Sequence, residues 1–143
     1  MPNEIDAVRL GSARIVRPGQ EAVVLTYGAM VHEAVHAATR LAGQGYDVMV
    51  VDMRTLKPYD EDAIIAAVAA TNRVLVVHEG WRTCGFGAEL SAVVAERAFH
   101  LLDAPVMRLT APDVPVPYAP ELEAAFRPNA DKIEKALVEL IEY

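Results

Sequence analysis

The chain has 143 residues and a mass of 15.5 kDa; 53% of the residues are hydrophobic and 23% are charged. Thirteen basic against twenty acidic residues leave a formal charge of −7. This composition excludes a disordered chain and shows no basic face of the kind a nucleic-acid binder carries, and the length predicts one domain.

Residues 1–12 read as a linker or incoming strand, broken by Gly11-Ser12, and residues 13–143 as the domain. Residues 13–17 form a short strand, Pro18-Gly19 a turn, and residues 22–27 a second strand. The short connection sets these two strands antiparallel. Gly28 ends the second strand. From Ala29 the period becomes helical, with Val31, Ala34, Val35, Ala38, Leu41 and Ala42 recurring at three- and four-residue steps. Gly43 and Gly45 supply the stop. Residues 47–52 are a short apolar run bounded by polar residues, as in a buried parallel strand.

Residues 53–58 read as a loop. Asp60, Glu61 and Asp62 place negative charge at the start of the next helix, complementing its dipole, with Ile64, Ile65 and Val68 on the buried side. Residues 74–77 form another buried strand. A loop over 78–85 leads to a helix carrying Leu90, Val93 and Val94, and residues 106–109 form the last strand. Pro112, Pro115, Pro117 and Pro120 forbid regular helix or central strand. The closing helix carries Ile133, Leu137, Leu140 and Ile141 on one face, with Asn129 or Asp131 as its cap. This alternation predicts an α/β fold: three layers, α/β/α, with a mostly parallel five-stranded sheet whose first strand is the antiparallel exception.

A single cysteine, Cys84, excludes an intramolecular disulfide framework and suits a reducing compartment. No apolar run approaches the ~20 residues that cross a bilayer, and the polar, acidic start does not resemble a signal peptide. An intracellular protein is expected: cytoplasmic, or in the mitochondrial matrix of a eukaryote.

Four patterns carry candidate chemistry. His32-Glu33-Ala34-Val35-His36 matches H-E-x-x-H, in which two histidines one helical turn apart hold zinc and the glutamate acts as general base. The extended form of that motif needs glycine at 39 and histidine at 42, where this chain has Thr39 and Ala42, so a solvent-facing helix edge is the preferred reading. The second pattern is the 78–89 loop at the carboxyl end of a central strand. Gly85 and Gly87 permit close backbone approach there, and a helix start offers free N–H groups to an anion. The dinucleotide fingerprint fails because Leu90 stands where a third glycine belongs. The third, Cys84 near His78, has nothing that marks an activated thiol. The fourth, the proline-rich stretch 111–120, presents rigid extended backbone to a partner or wraps a sheet edge.

Several blocks in unbroken order resemble a known family. They are Leu10-Gly11-Ser12-Ala13-Arg14-Ile15-Val16-Arg17-Pro18-Gly19 with Leu25-Thr26-Tyr27-Gly28, then Val51-Asp52-Met53-Arg54-Thr55-Leu56-Lys57-Pro58-Tyr59-Asp60. Thr71-Asn72-Arg73, His78-Glu79-Gly80-Trp81 and Gly85-Phe86-Gly87-Ala88-Glu89 follow, then Leu102-Asp103-Ala104-Pro105-Val106 and Asp113-Val114-Pro115-Val116-Pro117-Tyr118-Ala119. Together they resemble the C-terminal domain of the beta subunit of thiamine-diphosphate-dependent 2-oxo acid dehydrogenases, within the transketolase C-terminal domain family. Pyruvate dehydrogenase is the member they are most like.

The resemblance implies the three-layer fold. It places thiamine diphosphate and magnesium in other parts of the parent enzyme, so no catalytic, cofactor-binding or metal-binding residue carries over to this chain. It implies assembly and docking as the work of the domain. The partners would be the remainder of the beta subunit, the decarboxylase alpha subunit and the acyltransferase core, with neither nucleic acid nor membrane involved. The expected contacts are His78, Glu79, Trp81, Arg82, Gly85 and Gly87 in the loop. Asp113, Pro115, Pro117 and Tyr118 join them from the proline-rich segment, and Glu139 and Glu142 from the acidic last helix. A stand-alone small-molecule or anion-binding domain, using the Gly85–Gly87 loop, is the alternative.

Overall fold

The computed structural model describes residues 7–143. The expectation for residues 1–6 therefore lies outside the described residues, and residues 7–12 form no strand, with a turn at Leu10 and Gly11. The elements are β1 (Arg14–Arg17), β2 (Ala22–Thr26), α1 (Met30–Ala42), β3 (Val48–Asp52), α2 (Glu61–Thr71), β4 (Val74–Trp81), α3 (Phe86–Arg97), a 3₁₀ turn (Phe99–Leu101), β5 (Met107–Ala111), α4 (Pro120–Phe126) and α5 (Ala130–Ile141). The five strands form one sheet in the order β1-β3-β2-β4-β5, parallel except for β1.

Strand alternation divides the core in two. Val24, Val50, Leu75 and Val77 face α1 and α5, where Ala34, Ala38, Leu41, Ile133, Leu137 and Leu140 meet them. Val23, Leu25, Val51 and Val76 face α2 and α3, where Ile64, Val68, Leu90 and Val94 close the other layer. The central strands are apolar on both sides because both faces are covered, which is why they read as continuous runs. Truncating a fully buried residue such as Leu75 to alanine removes transfer energy and leaves a cavity, at a cost of about 2–5 kcal/mol.

The first strand is antiparallel, as expected, but it does not pair with β2. It hydrogen-bonds to β3, with Arg14 opposite Asp52 and Ile15 opposite Val51. The Pro18-Gly19 connection carries the chain past the start of β3, where the N–H groups of Gln20 and Glu21 both donate to the Asp47 carbonyl. It is a crossing under β3, not a hairpin.

Two other boundaries shift. Strand β4 runs on through His78, Glu79, Gly80 and Trp81, because β5 pairs alongside it as far as Ala111, with an irregularity between His78 and Trp81. The proline-rich segment ends in α4, which starts on Pro120. Proline suits the first helical position, where its missing N–H would be unpaired anyway. Helix α5 is capped by Asn129, whose side-chain oxygen accepts from the Lys132 N–H at 3.0 Å. Asp60 caps α2 through Ala63 and also accepts from the Ala13 N–H at 2.9 Å, tying the approach to β1 onto α2. Among the described residues, no helix is long and apolar enough to cross a membrane.

Candidate functional site

The carboxyl end of β4 organises the loop. His78 is fully buried on the α3 side of the sheet. Its ring stacks on Tyr27, with centroids 5.9 Å apart and planes 13° apart. The Gly87 N–H, in the first turn of α3, donates to His78 Nε2 at 3.2 Å. That bond puts the proton of the neutral ring on Nδ1, which has no partner among the described residues. Burial, with a lesser contribution from the Arg108 charge, pushes the imidazole pKa down, so the ring is neutral near neutral pH.

The two glycines exist for this histidine. A Cβ on Gly87 would overlap His78 Nε2 and lie 2.6 Å from Cδ2; one on Gly85 would lie 2.7 Å from Cε1 and overlap the Trp81 carbonyl oxygen. At this helix start the Gly87 N–H is already taken by an imidazole of the same chain, and the room beside both glycines is taken by that ring and the Trp81 carbonyl, which explains the glycines without an anion.

The outer side of the loop is a fixed surface. The Asp113 carboxylate accepts from the Thr83 N–H at 2.9 Å and from its hydroxyl at 2.7 Å. These bonds, with the nearby Arg82 charge, hold the Asp113 pKa below its usual value. The Trp81 Nε1–H donates to the Val114 carbonyl at 3.1 Å. Arg82 and Arg108 each donate to the other's carbonyl oxygen. Trp81, Thr83, Asp113, Val114 and Pro115 line one open cavity of about 670 Å³. Trp81 (54% exposed) and Val114 present apolar surface to solvent there, and Val116 and Tyr118, further along the same segment, are exposed as well.

The structure thus brings together most of the residues expected to contact partners and separates the rest. Trp81, Arg82, Asp113 and Pro115 belong to one region, with Tyr118 exposed nearby in sequence and Pro117 half-buried. Glu79 is exposed at the same strand end, whereas His78 and Gly87 are buried and support the loop from within. Glu139 lies in a separate groove with Met107, Lys132 and Lys135. Glu142 is at the opposite end of the sheet, where it accepts from the Tyr46 hydroxyl at 2.9 Å.

The H-E-x-x-H stretch lies on α1, with His32 and His36 exposed. Its glutamate is engaged elsewhere: Glu33 Oε2 accepts from the Ala130 N–H at the start of α5, at 2.9 Å. Among the described residues, no three histidine, cysteine or acidic side chains gather as a metal-ligand set. Cys84 is exposed, at a left-handed φ of 57°. The roles of Glu33 and of Val114 were not readable from sequence, since both rest on contacts between distant segments.

Comparison with known proteins agrees with this architecture. A family profile described as Transketolase, C-terminal domain, matches residues 11–133. The chain is 41% identical over 144 residues to the 2-oxoisovalerate dehydrogenase subunit beta of Bacillus subtilis, covering 100% of this chain and 44% of that subunit. It is 38% identical to two other proteins of that organism. One is the acetoin:2,6-dichlorophenolindophenol oxidoreductase subunit beta, with 99% of this chain and 41% of the subunit covered. The other is the pyruvate dehydrogenase E1 component subunit beta, with 100% and 44% covered.

Among solved structures, a split-gene transketolase described as an inactive beta4 tetramer superposes with a TM-score of 0.82 at 23% identity, over 94% of this chain and 43% of the other. That likeness speaks for the fold. The chain spans about two-fifths of the length of the curated relatives it matches. With the fold and nearly the whole sequence in agreement, the chain belongs to the transketolase C-terminal domain family.

Proposed function

We propose that this chain is the assembly and partner-docking domain of a 2-oxo acid dehydrogenase beta subunit, with pyruvate as the substrate of the parent enzyme. The parent reaction is oxidative decarboxylation of the 2-oxo acid, with acyl transfer to lipoamide. The observation that carries this reading is the match of the entire chain to a part of several such beta subunits. The partners are the remainder of the beta subunit, the decarboxylase alpha subunit and the acyltransferase core, in the cytoplasm or mitochondrial matrix.

Thiamine diphosphate and magnesium belong to the rest of that enzyme. The residues described here do not fit them: the glycine-bearing helix start is filled by His78, and no ligand set for a divalent ion gathers. No catalytic step is therefore assigned to this chain.

The surface around Trp81 suits docking. It combines an exposed indole with proline-stiffened backbone, which loses little conformational freedom on binding. The acidic last helix, through Glu139 and Glu142, complements a basic docking domain and steers its approach. The test is surface plasmon resonance of the parent beta subunit, in complex with its alpha subunit, against the acyltransferase core. Trp81→Ala is expected to speed dissociation by about tenfold or more, as a hot-spot residue does. Glu139→Lys is expected to slow association, with binding that weakens as salt rises. Salt-independent binding that neither variant alters contradicts the proposal.

A further inference from the structure

A second strand–glycine–helix junction lies at the carboxyl end of β2, where Gly28 precedes α1. Unlike the His78 junction, this one is open. A cavity of about 620 Å³ lies over it, bounded by β1, the end of β3 and the first two turns of α1. That volume is within the range of small-molecule pockets.

Two arginines line this cavity, one from β1 and one from the turn that follows β3. Arg14 lies opposite Asp52 in the β1–β3 pair, and Arg54 follows Asp52 by two residues. Arg54 is held in a left-handed turn, φ 57°, in which its N–H donates to Asp52 Oδ1 at 2.9 Å. The unexpected pairing of β1 with β3 therefore puts the two side chains at one end of the sheet.

Most of the other arginines are engaged within the chain, the exceptions among the described residues being Arg9 and Arg127, which do not line the cavity. Arg17, Arg40, Arg73 and Arg97 all form ion pairs with carboxylates. Arg82 and Arg108 donate to each other's carbonyl oxygens. Among the described residues, the guanidinium groups of Arg14 and Arg54 have no hydrogen-bond or ion-pair partner, in a chain with a net charge of −7. His32 and His36 add ring nitrogens from the exposed face of α1, and the helix start receives no side-chain cap from Ala29. One carboxylate, Asp52, also lines the cavity, half-buried and bound to the Arg54 N–H. The opposing wall is apolar, formed by Val16, Val31 and Val35.

We propose that Arg14 and Arg54 form, with this cavity, a binding site for a small organic oxyanion. Its phosphate or carboxylate head sits between the two guanidinium groups and its apolar body lies against the valines. Planar guanidinium donors match the paired oxygens of either head group. Two positive charges against one carboxylate leave the cavity net attractive to an anion. The site belongs to this chain's own residues, so it stands or falls separately from the docking reading.

The test is isothermal titration calorimetry of the 143-residue chain at fixed ionic strength, with phenyl phosphate and benzoate as probes. Inorganic phosphate and acetate serve as the matching heads without a body. One or both aromatic probes are expected to bind with 1:1 stoichiometry, and more tightly than the bare head. Preference for phenyl phosphate assigns a phosphate ester as ligand class; preference for benzoate assigns a carboxylate. Arg14→Ala and Arg54→Gln should each weaken binding about tenfold or more, as loss of a charge-assisted pair does. Arg127→Ala, outside the cavity, should leave binding unchanged. Both arginines are exposed, so circular dichroism should show the variants folded. Failure of every probe to saturate, or binding that survives loss of both arginines, overturns the proposal.

Discussion

The junctions that follow β2 and β4 are built alike and used differently. Each ends a parallel strand, turns near a glycine and starts a helix at the carboxyl edge of the sheet. At the β4 junction a buried imidazole takes the helix N–H, and the glycines are required by contact with it. At the β2 junction nothing lies within 4 Å of where a Gly28 Cβ would be, and the glycine is required only by its φ of +61°. A glycine turn before a helix therefore does not by itself make an anion site. What decides is whether the chain has already supplied the acceptor.

The largest test of that contrast is steric. Gly87→Ala must displace the buried His78 ring, and overpacking of this kind costs about 1–3 kcal/mol, here at the upper end because ring and sheet are both fixed. Gly28→Ala meets open space and costs only the left-handed backbone penalty, about 1–2 kcal/mol. Urea denaturation of both variants compares them, and a Gly28 variant that is the less stable of the two breaks the contrast.

The next test uses pH. The folded pKa of His78 lies below its ordinary value of 6.5, because burial disfavours the imidazolium and Arg108 repels it. Unfolding therefore takes up a proton at mildly acidic pH. The stability that comes from keeping this ring neutral is fully present above 6.5 and drains as pH falls through the folded pKa. His78→Phe keeps the ring but cannot take the proton. It should be less stable at neutral pH, because the Gly87 N–H loses its acceptor, and should show a shallower loss between pH 7 and 5. Parallel pH profiles for wild type and variant contradict the assignment.

A smaller effect separates the structural from the zinc reading of α1. Glu33→Ala removes the acceptor for the Ala130 N–H and should cost about 1 kcal/mol, comparable to loss of the Asn129 cap. Chemical denaturation measures it, and a variant as stable as wild type contradicts the role given to Glu33. The smallest expected effect on stability is that of Trp81→Ala. The indole is half in solvent and makes one bond to Val114, so thermal denaturation should move little while partner binding falls. A large thermal shift would make Trp81 a core residue instead of a docking one.

Much of the architecture was legible in the sequence, and the reasons are physical. The valine runs of β3 and β4 and the alanine-leucine period of α1 each express burial of a whole face, which leaves a local pattern. The covered sheet faces followed from those runs, and the antiparallel direction of the first strand from the short Pro18-Gly19 connection. The partner of β1 did not, because strand neighbours are chosen by contacts that short-range pattern does not encode. The helix at Pro120 had a readable signal, a proline at the first helical position followed by Glu121 and Glu123, but it was masked by the prolines before it.

The candidate sites divided in the same way. Trp81 and Asp113 were recognisable as residue types in place, 32 positions apart in the sequence and joined in one cavity. The burial of His78 and the placing of Arg14 and Arg54 on one cavity depend on how strands align, so neither could be read from spacing.

The central claim is that this domain works as part of a larger beta subunit. Native-gel immunoblotting of source-cell extract, with an antibody raised to this domain and a denaturing gel run beside it, tests that claim most directly. The account predicts a denatured band well above 15.5 kDa and a native band that comigrates with the decarboxylase alpha subunit. A denatured band near 15.5 kDa, migrating apart from any decarboxylase subunit in the native gel, contradicts it.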